Sequence, residues 1–236
     1  MPLPLPARPR AQGQWQPHER GGTPVQWTLV IPLKPLARAK SRLADTAGDG
    51  VRPGLALAFA EDTVAAALAC PAVASVAVVT DDGVAGRELA ALGARIVADE
   101  PRAGLNAALT HGTAAVRSAR PETPVAALNA DLPALRPGEL TRVLQAAAQF
   151  PRAFLADSAA VGTTLLAAAP GRALLPAFGA GSRARHRASG AVELSLDAVE
   201  SVRRDVDTGD DLRAALALGV GPRTAAAAGR LLFPGR

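Results

Sequence analysis

The chain has 236 residues, enough for one fairly large domain with a substantial core, and its 49% apolar and 3% aromatic residues describe a conventionally packed globular protein. No apolar run approaches the roughly 20 residues that cross a bilayer, and the single cysteine, Cys70, excludes an internal disulfide and a zinc site built on thiolates. The formal charge of +5 is spread along the chain, which fits a small phosphorylated ligand better than the broad basic stripe of a nucleic-acid binder.

Residues 1–25 alternate Pro, Gly, Gln and Arg without hydrophobic periodicity and are expected as a disordered arm. The arm has no continuous apolar stretch of the kind a secretory signal requires, so a cytoplasmic location is expected. The short β-branched run Trp27 to Leu33 reads as a buried parallel strand. A helix follows over 53–69, opened by Pro53, and then a strand over Val73 to Thr80 closed by the turn residues Asp81-Asp82-Gly83. The alternation continues with a helix over Val84 to Leu92, a strand over Ala94 to Ala98, a helix over Leu105 to Ser118, a strand over Pro124 to Leu128 and a helix over Pro137 to Phe150. Such alternation is the signature of a doubly wound α/β sheet. Beyond Phe150 the strand-like runs Ala153 to Ala156, Thr163 to Ala168 and Ala191 to Leu194 have no long helices between them, which predicts an antiparallel addition to the sheet. Val202 to Val206 reads as one more strand, and Thr208 as the cap of a helix over Gly209 to Leu218. A single domain over 26–222 and a loosely ordered tail over 223–236 complete the expected organisation.

Two aspartate motifs stand far apart along this order. Asn129-Ala130-Asp131-Leu132-Pro133 follows the apolar run Val125 to Leu128, and Arg203-Arg204-Asp205-Val206-Asp207-Thr208 comes some seventy residues later. In open α/β sheets ligands sit beyond the carboxyl ends of the strands, where Asp131 falls. Asp205 and Asp207, spaced i, i+2, point to one face of a strand, where two like carboxylates repel unless a cation lies between them. Brought together, the three carboxylates form an oxygen-only site suited to Mg²⁺ and a nucleoside triphosphate. Read singly, each motif is equally an ordinary turn, cap or solvated strand edge.

Three further segments carry candidate ligand groups. Lys34, Arg38, Lys40 and Arg42 place four cations in nine residues after the first strand, without the pattern of an ATPase P-loop, and Lys34, Lys40 and Arg42 are candidates to clamp phosphates. Gly104-Leu105-Asn106 opens a helix, where Asn106 is a candidate to bind base or ribose. Phe178-Gly179-Ala180-Gly181-Ser182-Arg183-Ala184-Arg185-His186-Arg187 offers two glycines, a hydroxyl and three arginines to an anion, with Gly162-Thr163-Thr164 as further donors; a basic surface loop is the plainer reading. His18, His111 and His186 form no recognisable metal set, and no serine elbow or Cys–His pair supports covalent catalysis.

Taken in order, these motifs resemble the CofC/FbiD family of guanylyltransferases, which act in biosynthesis of the deazaflavin coenzyme factor 420. The resemblance runs over roughly residues 27–222, through Pro32-Leu33-Lys34, Ala39-Lys40-Ser41-Arg42-Leu43, Gly104-Leu105-Asn106, Asp131-Leu132-Pro133-Ala134-Leu135, Gly162-Thr163, Phe178-Gly179, Ser182-x-Ala184-Arg185-His186, Ser189-Gly190-Ala191 and Asp205-Val206-Asp207-Thr208. It implies a Rossmann-like nucleotidyltransferase fold of the nucleotide-diphospho-sugar transferase type, with a mostly parallel sheet. It also implies transfer of GMP from GTP to a phosphorylated three-carbon acid with release of pyrophosphate, the product passing to a downstream transferase, and no nucleic-acid or membrane partner. Carried onto this chain, it assigns Thr163, Gly179 and Ser182 to the acid, Asp131, Asp205 and Asp207 to Mg²⁺, and Lys34, Lys40 and Arg42 to the triphosphate, with Asp131, Lys34 and Lys40 as the catalytic groups. Phosphoenolpyruvate is the expected acid, with 2-phospho-L-lactate and 3-phosphoglycerate as alternatives within the family. A nucleotidyltransferase of other specificity and, more distantly, a non-catalytic nucleotide- or RNA-binding module are the competing readings.

Overall fold

The computed structural model describes residues 25–39, 43, 50–100 and 102–232. Apart from Val25, the expected N-terminal arm lies outside the described residues, as do Lys40 and Arg42.

The described strands are β1 (Trp27–Pro32), β2 (Val73–Val79), β3 (Arg95–Val97), β4 (Val125–Leu128), β5 (Arg152–Ala156), β6 (Thr163–Ala168) and β7 (Val192–Glu193), paired in the order β3-β2-β1-β4-β6-β5-β7. Pairing is parallel throughout except where β6 runs against both β4 and β5. The expected antiparallel addition is therefore one reversed strand inserted between two that share the common direction, and not an appended edge. Chain order reverses between β1 and β4. There the flanking connections diverge and leave a crevice beyond the carboxyl ends of the strands.

Helices cover both faces. They are α1 (Arg52–Leu68), α2 (Gly83–Ala91), α3 (Leu105–Ala119), α4 (Pro137–Ala147), α5 (Ser182–Ala188), α6 (Glu200–Arg203), α7 (Gly209–Leu218) and α8 (Pro222–Leu232). Leu29, Ile31, Val76 and Val78 pack with α1, α2 and α4 on one face, while Val30, Ala77 and Val79 pack with Leu109 and Val116 of α3 on the other. That is why β1 and the second half of β2 are largely apolar: Trp27–Pro32 and Val76–Val79 are buried on both faces. A 3-10 turn over Leu36–Arg38 follows β1 and is held by Asp82, whose Oδ2 accepts from the Leu36 amide at 2.9 Å while its Oδ1 caps α2.

Two C-terminal expectations need correction. Val202 to Val206 is not a strand: Glu200–Arg203 forms a short helix, started where Glu139 accepts from both the amide and the hydroxyl of Ser201, at 2.9 and 2.8 Å. Two β-branched valines do not make a strand here, because a buried carboxylate on α4 captures the turn. Residues 223–232, expected within a loosely ordered tail, belong to α8, which packs against α1 with Thr224, Ala227 and Ala228 buried. Asp62 on α1, itself buried, accepts from the amides of Arg223 and Thr224 at 3.2 and 2.7 Å and so satisfies free donors at the start of α8.

Candidate active site

The crevice at the sheet reversal is a cavity of about 570 Å³, within the range of small-molecule sites. Pro32, Leu33 and Lys34 line it from the end of β1, Asn129 to Asp131 from the end of β4, and Asp157 from the end of β5. Gly162 and Thr163 contribute from the start of β6, which reaches the same end because β6 is reversed. Arg38, Gly179, Ser182, Asp205 and Asp207 are also on its wall.

Backbone geometry carries the remote motifs to one place. The Asn129 amide donates to the Thr164 carbonyl at 3.0 Å, prolonging the β4–β6 pairing by one residue before the chain leaves the sheet. Leu132 and Ala134 then bury beneath the loop, and the Leu132 amide donates to the hydroxyl of buried Thr63 at 3.0 Å. Asp131 is thereby fixed from both sides. Its own carbonyl accepts from the Val206 amide at 3.1 Å, and Val206 is fully buried, so Asp205 and Asp207 are held beside Asp131 by the residue between them. Asn129 adds a long contact from Nδ2 to Asp205 Oδ2, 3.4 Å. Below them Thr208 and Asp211 form a reciprocal cap on α7, which stops the acidic segment at a defined point.

The three expected metal-binding carboxylates therefore share one cavity, although Asp205 and Asp207 sit in irregular backbone and not on a strand. Among the described residues no group of three or more His, Cys, Asp and Glu side chains stands ready to hold a metal ion together. Like carboxylates repel at close range, which favours a spread arrangement. The donor chemistry nevertheless fits a hard divalent cation: every titratable donor of the three is a carboxylate oxygen. Of the charged side chains on the cavity wall, Asp131, Asp157, Asp205 and Asp207 outnumber Lys34 and Arg38 among the described residues. A triphosphate entering such a wall needs positive charge beyond those two.

Thr163, Gly179 and Ser182 come together on the same wall. Thr163 and Ser182 are buried within the protein yet border the cavity. Gly179 and Gly181 take φ of +112° and +69°, conformations that disfavour any side chain, and the basic stretch that follows, for which a surface loop was the plainer reading, is α5, begun by Ser182. Its arginines do not face the cavity. Arg183 pairs with Glu193 at 2.8 Å and donates to the Ala160 carbonyl, Arg187 also pairs with Glu193, and Arg185 donates to the carbonyls of Ala177, Ala180 and Phe178. They brace the loop.

Asn106 departs from its expected role as well. Its amide donates to the Phe178 carbonyl at 3.1 Å and its carbonyl accepts from the Phe178 amide at 2.8 Å, so the side chain clamps the Gly179 loop to α3 and does not border the cavity. Asp157 was not singled out by sequence. Its Oδ1 and Oδ2 accept from the amides of Val161 and Gly162 at 2.9 and 2.8 Å, shaping the turn that presents Thr163. The signal was there, an Asp ending a strand five residues before a Gly that starts another. Gly162 is required by that turn, since a Cβ there would lie 2.3 Å from Asp157 Oδ2.

The structure is a doubly wound sheet with one reversed strand, and its cavity joins carboxylates to hydroxyl and amide donors at the chain reversal. Solved structures share this fold: a nucleotidyl transferase from Methanothermobacter is similar at 22% identity and a TM-score of 0.58, covering 82% of this chain and 97% of that one. A Mycobacterium tuberculosis protein solved in complex with manganese is similar at a TM-score of 0.50 and 21% identity, with 82% and 99% covered. The chain belongs to the family described as guanylyl transferase CofC like, whose model matches residues 27–226. A Streptomyces coelicolor relative named phosphoenolpyruvate guanylyltransferase is 79% identical over 212 residues, covering 90% of this chain and all of the relative.

Proposed function

We propose that this protein transfers GMP from GTP to phosphoenolpyruvate with release of pyrophosphate. The observation that carries this reading is the single cavity whose wall combines Asp131, Asp205 and Asp207 with Thr163, Gly179 and Ser182. One set suits a metal-bound triphosphate and the other a small anionic acid. Family membership and the name borne by a 79% identical relative support the choice of guanine nucleotide and of acid.

In this reading Asp131, Asp205 and Asp207 hold a divalent cation, for which Mg²⁺ is the physiological choice; a manganese-bound structure of the same fold is consistent with divalent metal use. The cation, when bound, neutralises triphosphate charge as the α-phosphorus is attacked. Lys34, with Lys40 and Arg42 of the same sequence segment, supplies positive charge to the phosphates. Thr163, Gly179 and Ser182 hold the acid so that an oxygen of its phosphate attacks the α-phosphorus in line. That bond forms as the bond from the α-phosphorus to the bridging oxygen breaks, and pyrophosphate leaves with the electron pair. No general base is required, because a phosphate monoester is already ionised near neutral pH, so orientation and charge supply most of the rate.

Mass spectrometry of products from GTP, CTP and ATP, each offered phosphoenolpyruvate, 2-phospho-L-lactate and 3-phosphoglycerate with Mg²⁺, tests the proposal. The expected dominant product is the guanosine diphosphate diester of enolpyruvate. A preference for another acid moves the substrate within the same chemistry, and absence of any nucleotidyl product overturns the reading.

A further inference from the structure

His186 has no part in the mechanism above, yet its environment is unusually specified. It is fully buried, with its ring against Phe154 and Phe178 at centroid distances of 5.7 and 5.1 Å. Both ring nitrogens are engaged. The Ala177 amide lies 2.9 Å from Nε2, and a backbone N–H can only donate, so Nε2 is a bare acceptor. Burial, with the positive charges of Arg152 and Arg185 nearby, pushes the pKa of His186 down to about 4, so the ring is neutral near pH 7 and carries one proton. That proton must sit on Nδ1. Nδ1 is 2.9 Å from the hydroxyl oxygen of Thr163, and a protonated ring nitrogen donates, so Thr163 accepts from the ring. The single hydrogen of the Thr163 hydroxyl is then left for another acceptor, and no described protein group takes it. Thr163 borders the cavity.

We propose that His186 is a positioning residue: the directed chain from the Ala177 amide through His186 to Thr163 makes the Thr163 hydroxyl an obligate donor to an anionic oxygen of the phosphorylated acid. The opposite tautomer would turn the Thr163 hydrogen back into the protein and present only lone pairs to an anion. The inference deepens the assignment of Thr163 to the acid and rests on it for its kinetic consequence. The polarity itself rests on the hydrogen bonds alone.

Two measurements test it. Nitrogen-15 spectra of the full chain labelled at histidine, with His18 and His111 assigned by substitution, should report the Nδ1-protonated neutral tautomer for His186 at pH 7. An Nε2-protonated ring or an imidazolium there overturns the proposal whatever the substrate proves to be. For the kinetics, His186→Asn keeps an amide donor near the position of Nδ1, whereas His186→Gln reaches toward Nε2 and leaves Thr163 without its donor. His186→Gln should raise KM for the acid roughly tenfold while KM for GTP stays within about twofold, and His186→Asn should recover most of the difference. Equal losses in both variants, or equal rises for GTP and acid, would mean that His186 only packs the loop. If the wild-type chain turns over no phosphorylated acid, the proposed function fails, and the tautomer spectrum still decides the polarity.

Discussion

Asp131 is held in part through the backbone: the Leu132 amide is held by Thr63, and the Asp131 carbonyl is held by Val206. Asp131→Asn keeps these backbone bonds while removing one anionic ligand for the cation. Turnover is expected to fall by about 100-fold or more with a melting temperature close to that of the parent. Pyrophosphate release measured beside a melting curve checks this, and near-parental turnover would remove Asp131 from the metal site. His186 makes a prediction about acid stability. Its folded pKa, about 4, lies below the ordinary value of 6.5, so the unfolded chain binds the proton first. Its contribution is complete above about pH 6.5 and is lost as pH falls toward 4, on the order of 3 kcal/mol in all. Melting temperatures of the wild type should drop more steeply over that window than those of His186→Asn; parallel curves would contradict the burial of a neutral ring. At this scale sequence was informative about residue type and weaker about partners. Asp131, Asp205, Asp207, Thr163, Gly179 and Ser182 reach one cavity, whereas Asn106 and the arginines of α5 are spent on backbone groups and on Glu193, partners that no spacing rule reveals.

Elements are placed by contacts as close as those between residues. Helix α3 approaches the sheet at Gly112, where a Cβ would lie 2.5 Å from Val79 and 2.8 Å from Val30. Both valines lie in central strands, so neither can withdraw freely. Gly112→Ala is expected to cost about 1–3 kcal/mol of overpacking, lowering the melting temperature by roughly 2–4 °C for each kcal/mol. An unchanged melting curve would show that the helix shifts without strain. β1, β2, β4, β5 and β6 were readable because each is a short, mostly apolar run with at least four consecutive buried residues. The segment from Val202 to Val206 was not readable, because its conformation is imposed by Glu139 and by the Asp131 carbonyl, both distant in sequence.

Across the whole molecule, the end of the domain returns to its beginning. Helix α8 lies on α1, and Asp62 meets its first amides at 2.7 and 3.2 Å. Gly221 permits the approach, since a Cβ there would stand 2.3 Å from the Asp62 carboxyl carbon. Asp62→Ala should lower stability by about 0.5–2 kcal/mol through the lost cap, read as an earlier thermal transition; an unaltered transition would mean that α8 contributes little to the domain. The alternating pattern announced the doubly wound sheet, and the family resemblance implied its nucleotidyltransferase form. The packed helix α8 escaped notice because its anchor is a carboxylate 161 residues upstream, beyond the reach of any local pattern. The most direct test of the shared cavity is a crystal structure with Mn²⁺, GTP and an unreactive analogue of phosphoenolpyruvate. The account predicts anomalous density in contact with Asp131, Asp205 and Asp207 and the analogue's anionic groups at Thr163, Gly179 and Ser182. A metal bound elsewhere, or nucleotide and acid in separate clefts, would contradict it.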